Sequence, residues 1–158
     1  MEALAKKLGQ RLKASKAMLV TAESCTGGWA AQLVTSVPGS SEWFERGFVS
    51  YSNAAKQELL GVRAETLARH GAVSEQTARE MAQGALARSK ATVALAVTGV
   101  AGPGGGSAEK PVGMVCFAWA RRQTIRTETI HFSGDRESVR RQSVIHALEG
   151  VLKGLDGR

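Results

Sequence analysis

The chain has 158 residues, 43% of them hydrophobic and 22% charged, the balance of an ordinary soluble globular protein and enough for one domain, residues 1–158, with a buried core. Its formal net charge of +7 fits a solvated basic surface first and a phosphorylated small molecule second; the basic residues are scattered and aromatics make up only 5%, so the stacking platforms of a nucleic-acid binder are missing and none is expected as a partner. Two distant cysteines, Cys25 and Cys116, exclude a disulfide framework or a cysteine metal site. The opening residues lack the apolar core of a signal peptide and no stretch has the length of a membrane span, so a reduced, cytoplasmic setting without a membrane partner is expected.

Taken in order, residues 2–15 space Leu4, Leu8 and Leu12 for an amphipathic helix. The apolar run 17–22 reads as a buried strand, and a helix follows over 27–36, stopped by Val37-Pro38-Gly39. Trp43 and Phe44 are assigned to the core. Gly47 to Tyr51 has strand composition, and Asn53 is the expected cap of a helix through Leu60, closed by Gly61. A short helix over 63–70 ends at Gly71, and Ser74 caps a longer one whose stripe is Met81, Ala82, Ala85 and Leu86. Residues 92–97 are the most apolar run and predict a strand covered on both faces. Residues 112–120 and 124–132 form a predicted hairpin, and a last helix runs from about Gly134-Asp135 to Leu155. Helices alternating with strands, then a hairpin and a closing helix, indicate an α/β fold, a three-layer α/β/α sandwich with a mixed sheet.

Two strand-to-helix turns and one loop concentrate the chemistry. Thr21-Ala22-Glu23-Ser24-Cys25-Thr26-Gly27-Gly28 sets two hydroxyls and a thiol between a strand and a helix, with glycines that let a ligand approach backbone N–H groups backed by the helix dipole. The plainer alternative is that Ser24 or Thr26 only caps the helix. The second turn brings Tyr51 and Lys56 to the same sheet edge, because open sheets gather ligands outside their strand ends. Thr98 to Ser107 is a glycine-rich loop leaving a central strand, either a connector or a cradle for phosphate, ribose or oxyanion, and it matches neither the P-loop nor the dinucleotide fingerprint. Arg136, Arg140 and Arg141 sit in the first turns of the last helix, against its dipole, where either an anionic ligand or a salt bridge to Glu137 compensates. His70, His131 and His146 are remote from these turns, so a Ser-His-Asp triad is poorly supported, and no cluster resembles a metal site. A hydroxyl or thiol activated by a lysine remains, with Lys56 the preferred base.

These motifs, together with Gly71-Ala72-Val73-Ser74, Thr98-Gly99-Val100-Ala101-Gly102-Pro103 and Lys110-Pro111-Val112-Gly113, resemble the nicotinamide-nucleotide amidohydrolase family, also known as the C-terminal domain of the competence/damage-inducible proteins. The resemblance covers almost the whole chain and is to the stand-alone form; larger members carry an additional N-terminal domain. It implies hydrolysis of the carboxamide of nicotinamide mononucleotide in pyridine-nucleotide recycling, without metal or cofactor, by a homodimer or larger homo-oligomer. It implies Ser24 as nucleophile, Lys56 as general base and Tyr51 as a proton-relay or positioning residue. Thr98 and an arginine, Arg140, are implied on the substrate, and Thr26, Gly27, Gly28, Gly99 and Gly102 are grouped with them. Cys25, with Lys56 and Glu23, is the competing nucleophile. A non-catalytic module sensing a nucleotide or a DNA-repair partner is the alternative function.

Overall fold

The computed structural model describes residues 1–157. Five strands, β1 (Leu19–Glu23), β2 (Phe44–Val49), β3 (Val93–Gly99), β4 (Met114–Arg121) and β5 (Thr124–His131), form one sheet in the order β2-β1-β3-β4-β5. β1 lies parallel to β2 and β3, while β4 runs antiparallel to both β3 and β5. Six α-helices cover it: α1 (Glu2–Ala14), α2 (Trp29–Thr35), α3 (Asn53–Leu60), α4 (Ala64–His70), α5 (Glu75–Ala87) and α6 (Arg136–Leu155). The mixed three-layer sandwich is the one expected.

Alternation along the strands divides the layers. On β3, Val93, Leu95 and Val97 face α1, α2 and α6; on β4, Val115, Phe117 and Trp119 do the same. Their neighbours Ala94, Ala96, Cys116, Ala118 and Ala120 face the other way, with Leu60 of α3, Leu67 of α4 and Met81, Ala82 and Ala85 of α5. Large side chains therefore fill one face and a nearly flat alanine floor lets α5 lie close on the other. Each large residue removed from water contributes about 1.5–3 kcal/mol. Trp43 is buried in the first cluster, as assigned, and Phe44 is packed against it.

The differences from expectation have local causes. α2 starts at Trp29 rather than residue 27 because Gly27 (φ +58°) and Gly28 (φ +101°) hold a left-handed turn that no helix tolerates. β2 starts at Phe44, three residues early, and ends before Tyr51, since its partner β1 ends at Glu23 opposite Val49. The cap of α3 is Ser52, whose hydroxyl accepts from Ala55 N, and not Asn53, which is already helical. Ser74 and Asp135 cap α5 and α6 as expected, accepting from Thr77 N and Ser138 N.

This topology prepares a crevice. The chain leaves β1 for α2 on one face of the sheet and leaves β2 for the helices on the other, so the loops at the carboxyl ends of β1 and β2 diverge. The carboxyl end of β3 opens beside them.

Candidate active site

Ser24 is the first residue beyond β1. Its N–H donates to Val97 O over 3.0 Å, extending the ladder to β3, and its own carbonyl accepts from Gly27 N over 3.0 Å to close the turn. The hydroxyl is thus fixed at the point where the sheet stops. Lys56 approaches from α3. Helical side chains lean toward the N-terminus of their helix, so a lysine one turn into α3 reaches back over the preceding loop. Its Nζ lies 2.9 Å from Ser24 Oγ, 2.9 Å from Ser50 O and 3.0 Å from Tyr51 O. The side chain is 1% exposed, and burial holds its pKa below the usual 10.5 of a lysine.

Cys25 borders the same space but offers different chemistry. Burial, with a smaller contribution from the Glu23 charge, pushes its thiol up to about 12. A thiol nucleophile acts as thiolate, so at neutral pH this one is held in its unreactive form.

A cavity of about 160 Å³ opens above the pair, bounded by Ser24, Cys25, Lys56, Tyr51, Thr98 and Gly99. Ala72, Val73 and Ala101 supply its apolar wall and Arg136 completes it. Hollows of about 470 and 590 Å³ elsewhere, around Trp119 and around Ser74, hold neither Ser24 nor Lys56. Thr98 is buried, and its hydroxyl donates to Ala72 O over 2.8 Å. Tyr51 is 63% exposed at the cavity edge; its hydroxyl is 3.5 Å from Arg136 Nη2, and only its backbone carbonyl touches Lys56.

Five of the residues singled out in the sequence lie outside this lining. Thr26 is buried with its hydroxyl donating to Glu23 Oε1 over 2.6 Å. Gly27 and Gly28 supply the left-handed turn. The carbonyl of Gly102 accepts from Arg136 Nη1 over 2.9 Å. Arg140, expected on the substrate, instead donates from Nε to Cys25 O over 3.0 Å and from Nη2 to Thr26 O over 3.2 Å. The arginine bordering the cavity is Arg136, one turn earlier. Arg141 pairs with Glu137 at 3.2 Å, so the three cations at the start of α6 are each accounted for differently. Arg136 and Arg140 differ by one helical turn, and the packing of α6 decides which of them borders the cavity.

Glu23 was named in the sequence only as the acid paired with Cys25. It is fully buried, and besides Thr26 it accepts from Ala30 N at 2.8 Å and Ala31 N at 3.1 Å. It caps α2 from the strand, a task Gly28 at the N-cap cannot perform without a side chain. Among the described residues no group of His, Cys, Asp and Glu is placed to hold a metal ion.

The family model of the CinA C-terminal domain matches residues 1–155. The nicotinamide-nucleotide amidohydrolase PncC of Escherichia coli K12 is 57% identical over 150 residues, covering 92% of this chain and 89% of that protein. PncC of Pseudomonas putida is 52% identical, covering 95% and 94%. The crystal structure of the competence-damaged protein (CinA) superfamily member from Klebsiella pneumoniae 700603 superposes with a TM-score of 0.96 at 39% identity, covering 99% of this chain and 98% of that one. A match along nearly the whole length, in sequence and in fold, places this chain in the CinA C-terminal domain family.

Proposed function

We propose that the chain hydrolyses the carboxamide of nicotinamide mononucleotide to nicotinic acid mononucleotide and ammonia, the activity named for its Escherichia coli and Pseudomonas relatives, and so recycles pyridine nucleotide. The observation that carries the reading is the surroundings of Lys56 Nζ. Two of its three neighbours are carbonyls, which only accept, so they take two N–H groups. In the neutral amine the remaining position is a lone pair, and it faces Ser24 Oγ at 2.9 Å. A buried amine with a lowered pKa, aimed at a hydroxyl, is a general base for that hydroxyl.

Ser24 Oγ then attacks the amide carbon while Lys56 accepts its proton. The tetrahedral intermediate collapses as Lys56 returns that proton to the departing nitrogen, which leaves as ammonia. Water, deprotonated by Lys56, attacks the acyl-enzyme, and Lys56 hands that proton to the departing Ser24 Oγ as the acid product leaves. Of the amides in the turn after Ser24, that of Cys25, which borders the cavity and has no backbone acceptor among the described residues, is the donor for the developing oxyanion.

The cavity volume suits one ring, so the ribose phosphate extends past its edge, where Arg136 stands and Tyr51 holds it in place. Arg136 is therefore the phosphate contact, and Tyr51 positions it rather than relaying protons. Thr98 has given its only donor to Ala72 O; toward substrate its hydroxyl is an acceptor, suited to the carboxamide NH₂ and not to its carbonyl. No described helix is long and apolar enough to cross a membrane.

The test is ammonia release from nicotinamide mononucleotide by the wild type, Ser24→Ala and Lys56→Met. Activity in the first and its loss in both variants is expected; a wild type without activity leaves the nucleotide-binding alternative.

A further inference from the structure

The turn that carries Ser24 is held from two sides by groups of opposite charge that do not line the cavity. From beneath, Glu23 takes the Thr26 hydroxyl at 2.6 Å and the first free amides of α2, Ala30 N and Ala31 N. From the other side, Arg140 of α6 takes two successive carbonyls, Cys25 O at 3.0 Å and Thr26 O at 3.2 Å. Arg140 is 115 residues away from Cys25 in the chain, so only the packing of α6 brings it there. A carbonyl and the amide hydrogen of a trans peptide point in opposite directions, and the 25–26 peptide is trans, the one cis bond among the described residues being Gly102–Pro103. Fixing Cys25 O on Arg140 therefore fixes the direction of Thr26 N–H, away from the guanidinium. Thr26 is gripped at its hydroxyl by one charge and at its carbonyl by the other.

We propose that Arg140 and Glu23 are positioning residues that clamp residues 24–28, keeping Ser24 Oγ in place as negative charge develops on the substrate oxygen. Neither residue touches substrate. Arg140 holds the turn, while Arg136, one turn away, binds the phosphate. A flexible turn bearing glycines at two successive positions would otherwise let both the nucleophile and its oxyanion donor wander, and a misplacement of about 1 Å costs on the order of 100-fold in rate. The proposal rests on Ser24 being the nucleophile.

Steady-state ammonia release from nicotinamide mononucleotide, measured for Arg140→Leu, Arg140→Lys and Thr26→Val beside the wild type and Ser24→Ala, separates the roles. The clamp requires kcat to fall about 100-fold in Arg140→Leu with KM nearly unchanged, and part of the loss to return in Arg140→Lys, whose ammonium reaches one carbonyl at a time. Thr26→Val keeps the shape and removes the hydroxyl held by Glu23, so it lowers kcat without raising KM; it decides the matter should Arg140→Leu fail to fold. A raised KM at preserved kcat, restored by lysine, makes Arg140 a substrate ligand and overturns the clamp. Unchanged kinetics in all three variants overturn it too. Backbone amide exchange of residues 24–28 gives a second readout independent of the reaction: it quickens in Arg140→Leu and Thr26→Val if the clamp holds the turn, and an unchanged rate refutes it. An inactive wild type, or an active Ser24→Ala, strikes instead at the Ser24 assignment, and the exchange data still judge the clamp.

Discussion

The amide of Ser50 donates to the carbonyl of Glu23 over 2.8 Å, continuing the parallel pairing of β1 with β2 by one bond beyond the last register pair, Glu23 with Val49. Glu23 is the neighbour of Ser24, and the carbonyl of Ser50 accepts from Lys56. The distance between hydroxyl and amine is thereby tied to the pairing of β1 with the edge strand β2.

Cys25 is expected to be dispensable. With its thiol held at about 12, roughly one molecule in 10⁵ carries a thiolate at pH 7. Cys25→Ala should retain ammonia release within a few-fold, and iodoacetamide should label Cys25 slowly at neutral pH. Loss of activity comparable to that of Ser24→Ala would transfer the nucleophile to the thiol.

The activity should rise with pH. Burial lowers the Lys56 pKa below 10.5, and the neutral amine is the working form, so kcat/KM climbs as pH increases through the folded-state pKa and levels off before 10.5. Stability moves in the same direction. Between the folded pKa and 10.5 the unfolded chain holds the proton that the folded protein has released, so unfolding free energy increases with pH over that window and the gain is lost again as pH falls through it. Urea unfolding at several pH values should show this slope in the wild type and a smaller one in Lys56→Met; equal slopes would contradict a desolvated amine.

Gly84 of α5 couples packing to chemistry. A Cβ at that position would lie 1.7 Å from Leu60 O, at the end of the helix that carries Lys56. Gly84→Ala must push α3 off α5, at a cost of about 1–3 kcal/mol, and tilt Lys56 away from Ser24. Reduced thermal stability together with reduced kcat is expected. Gly104→Ala, where nothing lies within 4 Å of the added carbon, is the neutral control, and a Gly84→Ala enzyme of full kcat would show that α3 does not set the dyad.

Arg136 should govern affinity. Removing a charge-assisted contact worth about 1.5–3 kcal/mol raises KM for nicotinamide mononucleotide by about 10- to 100-fold in Arg136→Ala, with kcat largely kept. The riboside lacking the phosphate should be nearly insensitive to the same change. Equal losses for both substrates would remove Arg136 from the phosphate.

Much of the architecture was legible in the residues themselves. Apolar alternation and runs are local, so the order of strands and helices, the central buried strand, though it runs on to Gly99 and not only to Val97, and the caps Ser74 and Asp135 could be read from short windows. Ser24, Lys56 and the β3 loop could be placed at strand ends for the same reason, since a strand-to-helix junction is a local event. Contacts between distant segments could not be read. Whether Arg136 or Arg140 faces the cavity depends on the angle at which α6 crosses the sheet, and a one-turn difference leaves no mark on composition. Glu23 was read only as the acid partner of Cys25, whereas folding buries it under the amides of α2. The environment that separates Ser24 from Cys25, a desolvated amine hydrogen-bonded to one and a thiol whose charged form burial suppresses in the other, exists only once β1, β2 and α3 have packed together, because desolvation belongs to the assembled layers and not to any residue alone.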